Sequence, residues 1–178
     1  MDMLTHNRQM ARNNRWSNDR LYRAVLALQP GEFEAERVSF FPSIKETLNH
    51  IHEVDLFYFD MLVEGGEGRA LFDRFVAYDD PARLAAAQAE LDGRLIAFCD
   101  GLWLADLDRR VPTDRGTAGI IPERIGDLLA HLFVHQTHHR GQVHAMLSGT
   151  SVKPPQLDEF FLDFDLRFRK EEVERLGL

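Results

Sequence analysis

Apolar residues recur at helical spacing through four long stretches of the chain, and turn residues fill the breaks between them. The first stretch predicts a helix from about Met3 to Gln29, stopped by Pro30-Gly31, with Leu4, Met10, Ala11, Leu21, Val25 and Leu28 turned inward. Asn14 and Asn18 fall near that same face and make its middle polar. A second helix opens at Ser43, with Glu46 at the capping-box spacing, and runs to about Leu62 before Gly65-Gly66. Its apolar face carries Ile44, Leu48, Ile51, Tyr58 and Leu62; Lys45, Glu46, Asn49, Glu53 and Asp60 lie opposite. Asp80-Pro81 reads as an N-cap followed by proline in the first turn, starting a third helix that ends near Gly101. The turn-rich segment from Arg110 to Ile121 predicts a short hairpin or an irregular loop. A fourth helix follows from about Pro122 to Leu147, with Ser148-Gly149 as its stop.

Four such helices predict an all-α antiparallel four-helix bundle over residues 1–150. Residues 151–178 form an acidic, aromatic extension expected to be helical and to pack on the bundle or on a dimer partner. The spacing of Phe160, Phe161, Phe164 and Phe168 fits one face of that helix, as packing residues do.

Composition narrows the function classes. A length of 178 residues, 44% hydrophobic and 28% charged, suits one ordinary globular domain. The formal charge is −8, with lysines and arginines scattered among carboxylates, which argues against a nucleic-acid partner. A single cysteine, Cys99, excludes an intrachain disulfide. No apolar run approaches membrane-spanning length, and the polar N-terminus does not resemble a secretory signal, so a cytoplasmic protein is expected.

The chemistry concentrates in histidines. Five of the eight lie between positions 131 and 144. His135 and His139 fall inside the apolar stripe of Ile125, Leu128, Leu129, Leu132, Val143 and Met146; His131 and His138 border it, and His144 points away. Imidazoles at i and i+4 aim their nitrogens toward a shared point, as a first-row metal ion requires. Such pairs also occur as hydrogen-bonded core histidines. The second helix offers His50 or His52 as a third ligand, and periodicity leaves both open. Three histidines would leave one position free, which characterises a catalytic rather than a structural metal site.

The runs LLAHLFVHQTHHRGQVHAML, SIKETLNHIHEVD and NRWSNDRL, in this order and spacing, together resemble the DinB-like metalloenzyme family, HHRGQ being the most specific element. The resemblance implies a four-helix bundle, usually dimeric, with one divalent ion held by His50, His135 and His139. Zinc, nickel or iron suits three imidazoles. It further implies a thiol-dependent S-transferase using a low-molecular-weight thiol, or a hydrolase, acting on a small molecule. A non-catalytic metal-binding or stress-related dimer is the alternative. On the enzyme reading, Asn14, Asn18 and Asp55 are expected to orient substrate, and Gln142 to hydrogen-bond a ligand histidine. Glu53 is expected in solvent or, alternatively, behind a metal ligand, Cys99 as a buried apolar group, and Arg140 facing away toward an acidic residue or another subunit. The family often opens its fourth helix with Ser or Thr; here Ile121-Pro122 stands there, so that cap is missing unless Thr117 or the turn supplies one.

Overall fold

The computed structural model describes residues 2–178. Its frame is four long helices: α1 (Met3–Val25), α2 (Ile44–Leu62), α4 (Pro81–Gly101) and α5 (Ile125–Leu147). A five-residue helix, α3 (Ala70–Arg74), lies between α2 and α4. Strands β1 (Arg110–Asp114) and β2 (Ile120–Arg124) form an antiparallel hairpin before α5, and α6 (Leu166–Leu176) closes the chain.

The predicted start signals act as expected. Ser43 Oγ accepts from Glu46 N at 3.1 Å, and Asp80 Oδ1 accepts from Ala82 N at 2.8 Å with Pro81 in the first turn. Two boundaries differ. α1 ends at Val25 rather than Gln29, because the chain tightens into three-residue turns (Ala27 N to Ala24 O, Leu28 N to Val25 O) ahead of Pro30. α5 begins at Ile125, not Pro122, because Pro122 belongs to β2, opposite Pro112. Among the described residues no side chain caps α5; Ile125 N instead donates to Arg109 O at 3.0 Å, tying the helix to the hairpin. The hairpin turns between Arg115 and Gly119 (Arg115 N to Gly119 O, 2.9 Å), with Gly116 and Gly119 at positive φ.

α1 packs chiefly on α4 and α2 on α5, each pair antiparallel, whereas α2 and α4 run in the same direction. The eighteen-residue connection 63–80 makes that return possible. The core falls into two apolar clusters. One gathers Phe57, Leu62, Leu95, Leu129 and Leu132 with their neighbours; the other gathers Leu21, Val25, Ile51, Leu84 and Val143.

Between the clusters, at mid-height of every long helix, lies a buried polar layer: Asn14 and Asn18 from α1, Asp55 from α2, Gln88 and Asp92 from α4, Gln136 and Arg140 from α5. Asp92 accepts from Asn14 (3.2 Å), Asn18 (3.0 and 3.1 Å) and Gln88 (3.1 Å). Asp55 accepts from Gln88 at 2.9 Å and from Gln136. Arg140 donates to Asn14, to Asn18 at 3.2 Å and to Gln136 at 3.0 Å. Buried polar groups persist where each finds partners, and the layer is nearly complete in that sense. Arg140 therefore does not face away, nor does it seek another subunit.

The extension folds onto α1. Arg20 donates to Gln156 O, Glu159, Phe168 O and Glu172, and Trp16 Nε1 donates to Glu172 Oε2 at 2.7 Å. A short turn at Asp163–Asp165 interrupts it, so the four phenylalanines do not share a helical face. Phe160 lies 5.5 Å from the Trp16 ring, while Phe161, Phe164 and Phe168 are exposed.

Candidate metal centre

α2 and α5 meet antiparallel, and this brings His50 opposite His135 and His139. The Nε2 atoms of His50 and His135 are 3.1 Å apart. One ligand atom from each of the three histidines lies within 4.8 Å of the others; among the described residues this is the group of His, Cys, Asp or Glu side chains placed to hold a metal ion. Phe41, from the segment before α2, covers one side, its ring 4.4 Å from that of His50 and 5.7 Å from that of His139.

All three imidazoles are held neutral. Burial, with His139 nearby, lowers the His50 pKa to about 4. Burial first, then the neighbouring histidines, lowers His135 to about 3; burial also lowers His139. Neutral imidazole presents the lone pair a metal ion needs. His139 Nδ1 donates to Gln142 Oε1 at 2.8 Å, which leaves Nε2 as the free acceptor. Gln142 Nε2 in turn donates to His138 Nε2 at 3.3 Å. Thus Gln142 orients a cluster histidine, as its place on the helix predicts. His135 Nδ1 is buried without a partner among the described residues. A neutral three-nitrogen set, one ring oriented from behind, fits a divalent first-row ion.

The histidines that periodicity left open separate here. His52 is buried away from the cluster, its Nδ1 3.0 Å from Gln88 Oε1 and its ring between Phe75 and Tyr78. His131 packs at a tilt against Tyr58 (4.9 Å), with its ring 6.4 Å from that of His135. His144 meets Pro155 O at 2.9 Å.

Asn14, Asn18 and Asp55 are corrected: they belong to the buried polar layer, where their hydrogen bonds are with protein, not in the histidine cleft. Glu53 is half-buried rather than solvated, and burial raises its carboxyl pKa. Cys99 is fully buried as expected, its thiol pushed up to about 12 by burial.

A cleft of about 310 Å3 opens beside His135 and runs along the α2–α5 groove to the hairpin. Val54, Phe57 and Phe72 give it apolar walls; His131, Arg69 and Arg115 give it polar ones. Arg115 donates to Tyr58 Oη at 3.1 Å and pairs with Glu123. Sequence periodicity shows neither arginine, since both sit on connections whose approach to α2 and α5 is set by tertiary packing.

The sequence model of the DinB family matches residues 3–170, and the chain belongs to that family. "Protein DinB" of Bacillus subtilis (strain 168) is 25% identical over 143 residues, covering 75% of this chain and 80% of that protein. The crystal structure of a DinB-like protein from Bacillus subtilis superposes with a TM-score of 0.60 at 14% identity, covering 84% of this chain and 97% of the other. That likeness establishes the bundle fold. Among the described residues no helix is long and apolar enough to cross a membrane.

Proposed function

We propose that this protein is a metal-dependent enzyme acting on a small molecule, by thiol-dependent S-transfer or by hydrolysis. The observation that carries the reading is the convergence of three neutral histidines, with no fourth side-chain ligand among the described residues; one of the three, His135, lines an open cleft. A divalent ion ligated by three neutral imidazoles keeps its full charge and supplies Lewis-acid stabilisation of a thiolate or of hydroxide near neutral pH. His50, His135 and His139 hold the ion; zinc, nickel and iron all accept this donor set. Gln142 fixes the His139 ring with its metal-facing nitrogen unprotonated. Phe41 shields one flank from water, and the apolar walls of the cleft receive the body of the substrate. The homodimer expected from the resemblance belongs to the same reading, supported by exposed Met3 and Val134 beside a groove of about 440 Å3 between α1 and α5.

Elemental mass spectrometry of untagged protein never exposed to nickel resin tests the proposal. Near-stoichiometric metal is expected in wild type, His52→Ala and His131→Ala, and near none in His50→Ala, His135→Ala and His139→Ala. Wild type that is metal-free and cannot be reloaded overturns it. Metal bound with no thiol or water exchanging at the ion leaves a non-catalytic metal-binding protein.

A further inference from the structure

The cleft that starts at His135 ends at two guanidinium groups. Along α5 the path runs one turn back from His135 to His131, and along α2 from His50 through Val54 to Tyr58. Tyr58 and His131 touch, ring to ring, across the groove. Beyond them the Arg115 guanidinium carbon sits 5.7 Å from the centre of the Tyr58 ring, and Arg69 enters from the start of α3.

The two arginines are differently occupied. Arg115 is already engaged, by Glu123 and by Tyr58 Oη. Arg69 has no acidic side chain within ion-pair distance among the described residues; its guanidinium carbon lies 5.6 Å from the centre of the Phe72 ring. The carboxylate facing it, Asp114, has both oxygens committed to backbone: Oδ1 accepts from Gly116 N at 2.8 Å and Oδ2 from Arg69 N at 3.2 Å. Asp114 therefore braces the hairpin against α3 and holds Arg69 in place without quenching its donors.

The geometry points to a carboxylate-binding subsite at Arg69 and Arg115, which makes the substrate or its thiol partner a small carboxylic acid. This rests on the metal-site reading above for the position of the reacting atom, though not for the anion site itself. The acid's carboxylate takes the guanidinium N–H groups, in the fork geometry that arginine matches. Its short apolar body lies on Val54, Phe57 and Phe72, and its reacting atom reaches the histidine cluster. Charge balance selects a monoanion. Arg115 is paired with Glu123 and Asp114 commits its oxygens to backbone, so Arg69 is the guanidinium whose donors are free, and one carboxylate charge matches it where the two charges of a phosphate would exceed it. The Tyr58 hydroxyl, which accepts from Arg115, keeps its own proton to donate to the second carboxylate oxygen.

Two titrations test this and separate its failure from that of the metal site. In the first, metal-free protein is titrated with propionate or propionamide while the arginine Nε–Hε signals are followed by NMR. Propionate is expected to shift the Arg69 and Arg115 signals saturably and the amide to leave them in place; Arg69→Met abolishes the response at Arg115, and Arg69→Lys restores part of it. In the second, cobalt(II)-loaded protein is titrated with 3-mercaptopropionate or its amide, read by the thiolate-to-cobalt absorption. The acid is expected to bind about tenfold more tightly than the amide, from one charge-assisted contact. Arg69→Met, which breaks no ion pair, should remove that preference while leaving the amide's affinity unchanged. Failure to bind cobalt overturns the metal reading and leaves the first titration to decide the subsite. Equal affinity for acid and amide on cobalt-loaded wild type, or arginine signals indifferent to propionate, overturns the subsite.

Discussion

The Nε2 of His50 and the Nε2 of His135 face each other at 3.1 Å across α2 and α5. Only one proton fits between two such nitrogens, and His135 also carries a buried Nδ1 with no partner among the described residues. This arrangement costs stability in the metal-free protein, as functional sites often do. His135→Leu should therefore raise metal-free stability by about 1 kcal/mol, from removing an unsatisfied buried polar group. The same variant should lose the stabilisation that saturating zinc gives wild type, about 2.7 kcal/mol at a hundredfold excess over Kd. Urea unfolding with EDTA and with zinc checks both halves.

Gln142 reaches the cluster only through His139, accepting from its Nδ1 at 2.8 Å. Gln142→Leu should leave the bundle folded but weaken metal binding by about 10- to 100-fold, the usual range for losing a group that orients a ligand. Gln142→Glu, which retains the acceptor, should bind more tightly than Gln142→Leu. Competition with a chromogenic chelator measures the order.

Asp55 and Asp92 share the polar layer with a single guanidinium. Burial raises both carboxyl pKa values, and Asp92 adds to the effect at Asp55. The folded state thus keeps a proton that the unfolded chain releases near pH 4, so this contribution to stability falls as pH rises above about 4. The depressed histidines act in the opposite sense, stability rising with pH between about 3, the lowest folded value, and about 6.5. Comparing variants isolates the carboxyl contribution. Asp55→Asn keeps an acceptor for Gln88 and Gln136 and should gain on wild type by about 1 kcal/mol or more between pH 5 and pH 8. Asp92→Asn turns an amide toward the donors of Asn14, Asn18 and Gln88 and should cost about 2–3 kcal/mol at pH 5, less as pH rises. Urea denaturation across that range reads both.

Glu172 joins the C-terminal helix to α1 by accepting from Trp16 Nε1 at 2.7 Å and Arg20 Nε at 2.8 Å. Glu172→Ala strands both donors and should destabilise by about 1–2 kcal/mol. Glu172→Gln, which still accepts from Trp16, should cost less. Unfolding followed by tryptophan fluorescence, with limited proteolysis of the residues after 150, tests the ranking.

Sequence reading reached the four long helices because their signals are local. Ser43 with Glu46, and Asp80 with Pro81, act within one turn of chain, and the apolar spacing behind them is regular. The histidine cluster was legible for the same reason, since i and i+4 positions on one helix need no tertiary knowledge. His52 and His131 stayed open until α2 and α5 were docked, because a wheel shows which side of a helix a residue takes, not what it meets there. The polar layer was misread on that account. Singly, Asn14 looks like a substrate group and Arg140 like a partner for an acidic residue or another subunit, and their burial is intelligible only as a set drawn from distant segments. Arg69 and Arg115 gave no periodic signal at all.

The polar layer also acts as a vernier on the bundle. Greasy helices slide past one another at modest cost, because one aliphatic contact replaces another. Here a slip of one turn in any long helix would leave amides and carboxylates facing leucines, with several directional bonds broken together. Axial alignment is therefore discrete. Asp55 is tied to Gln136 one turn or so from where His50 meets His135, so the lock sits beside the instrument it calibrates.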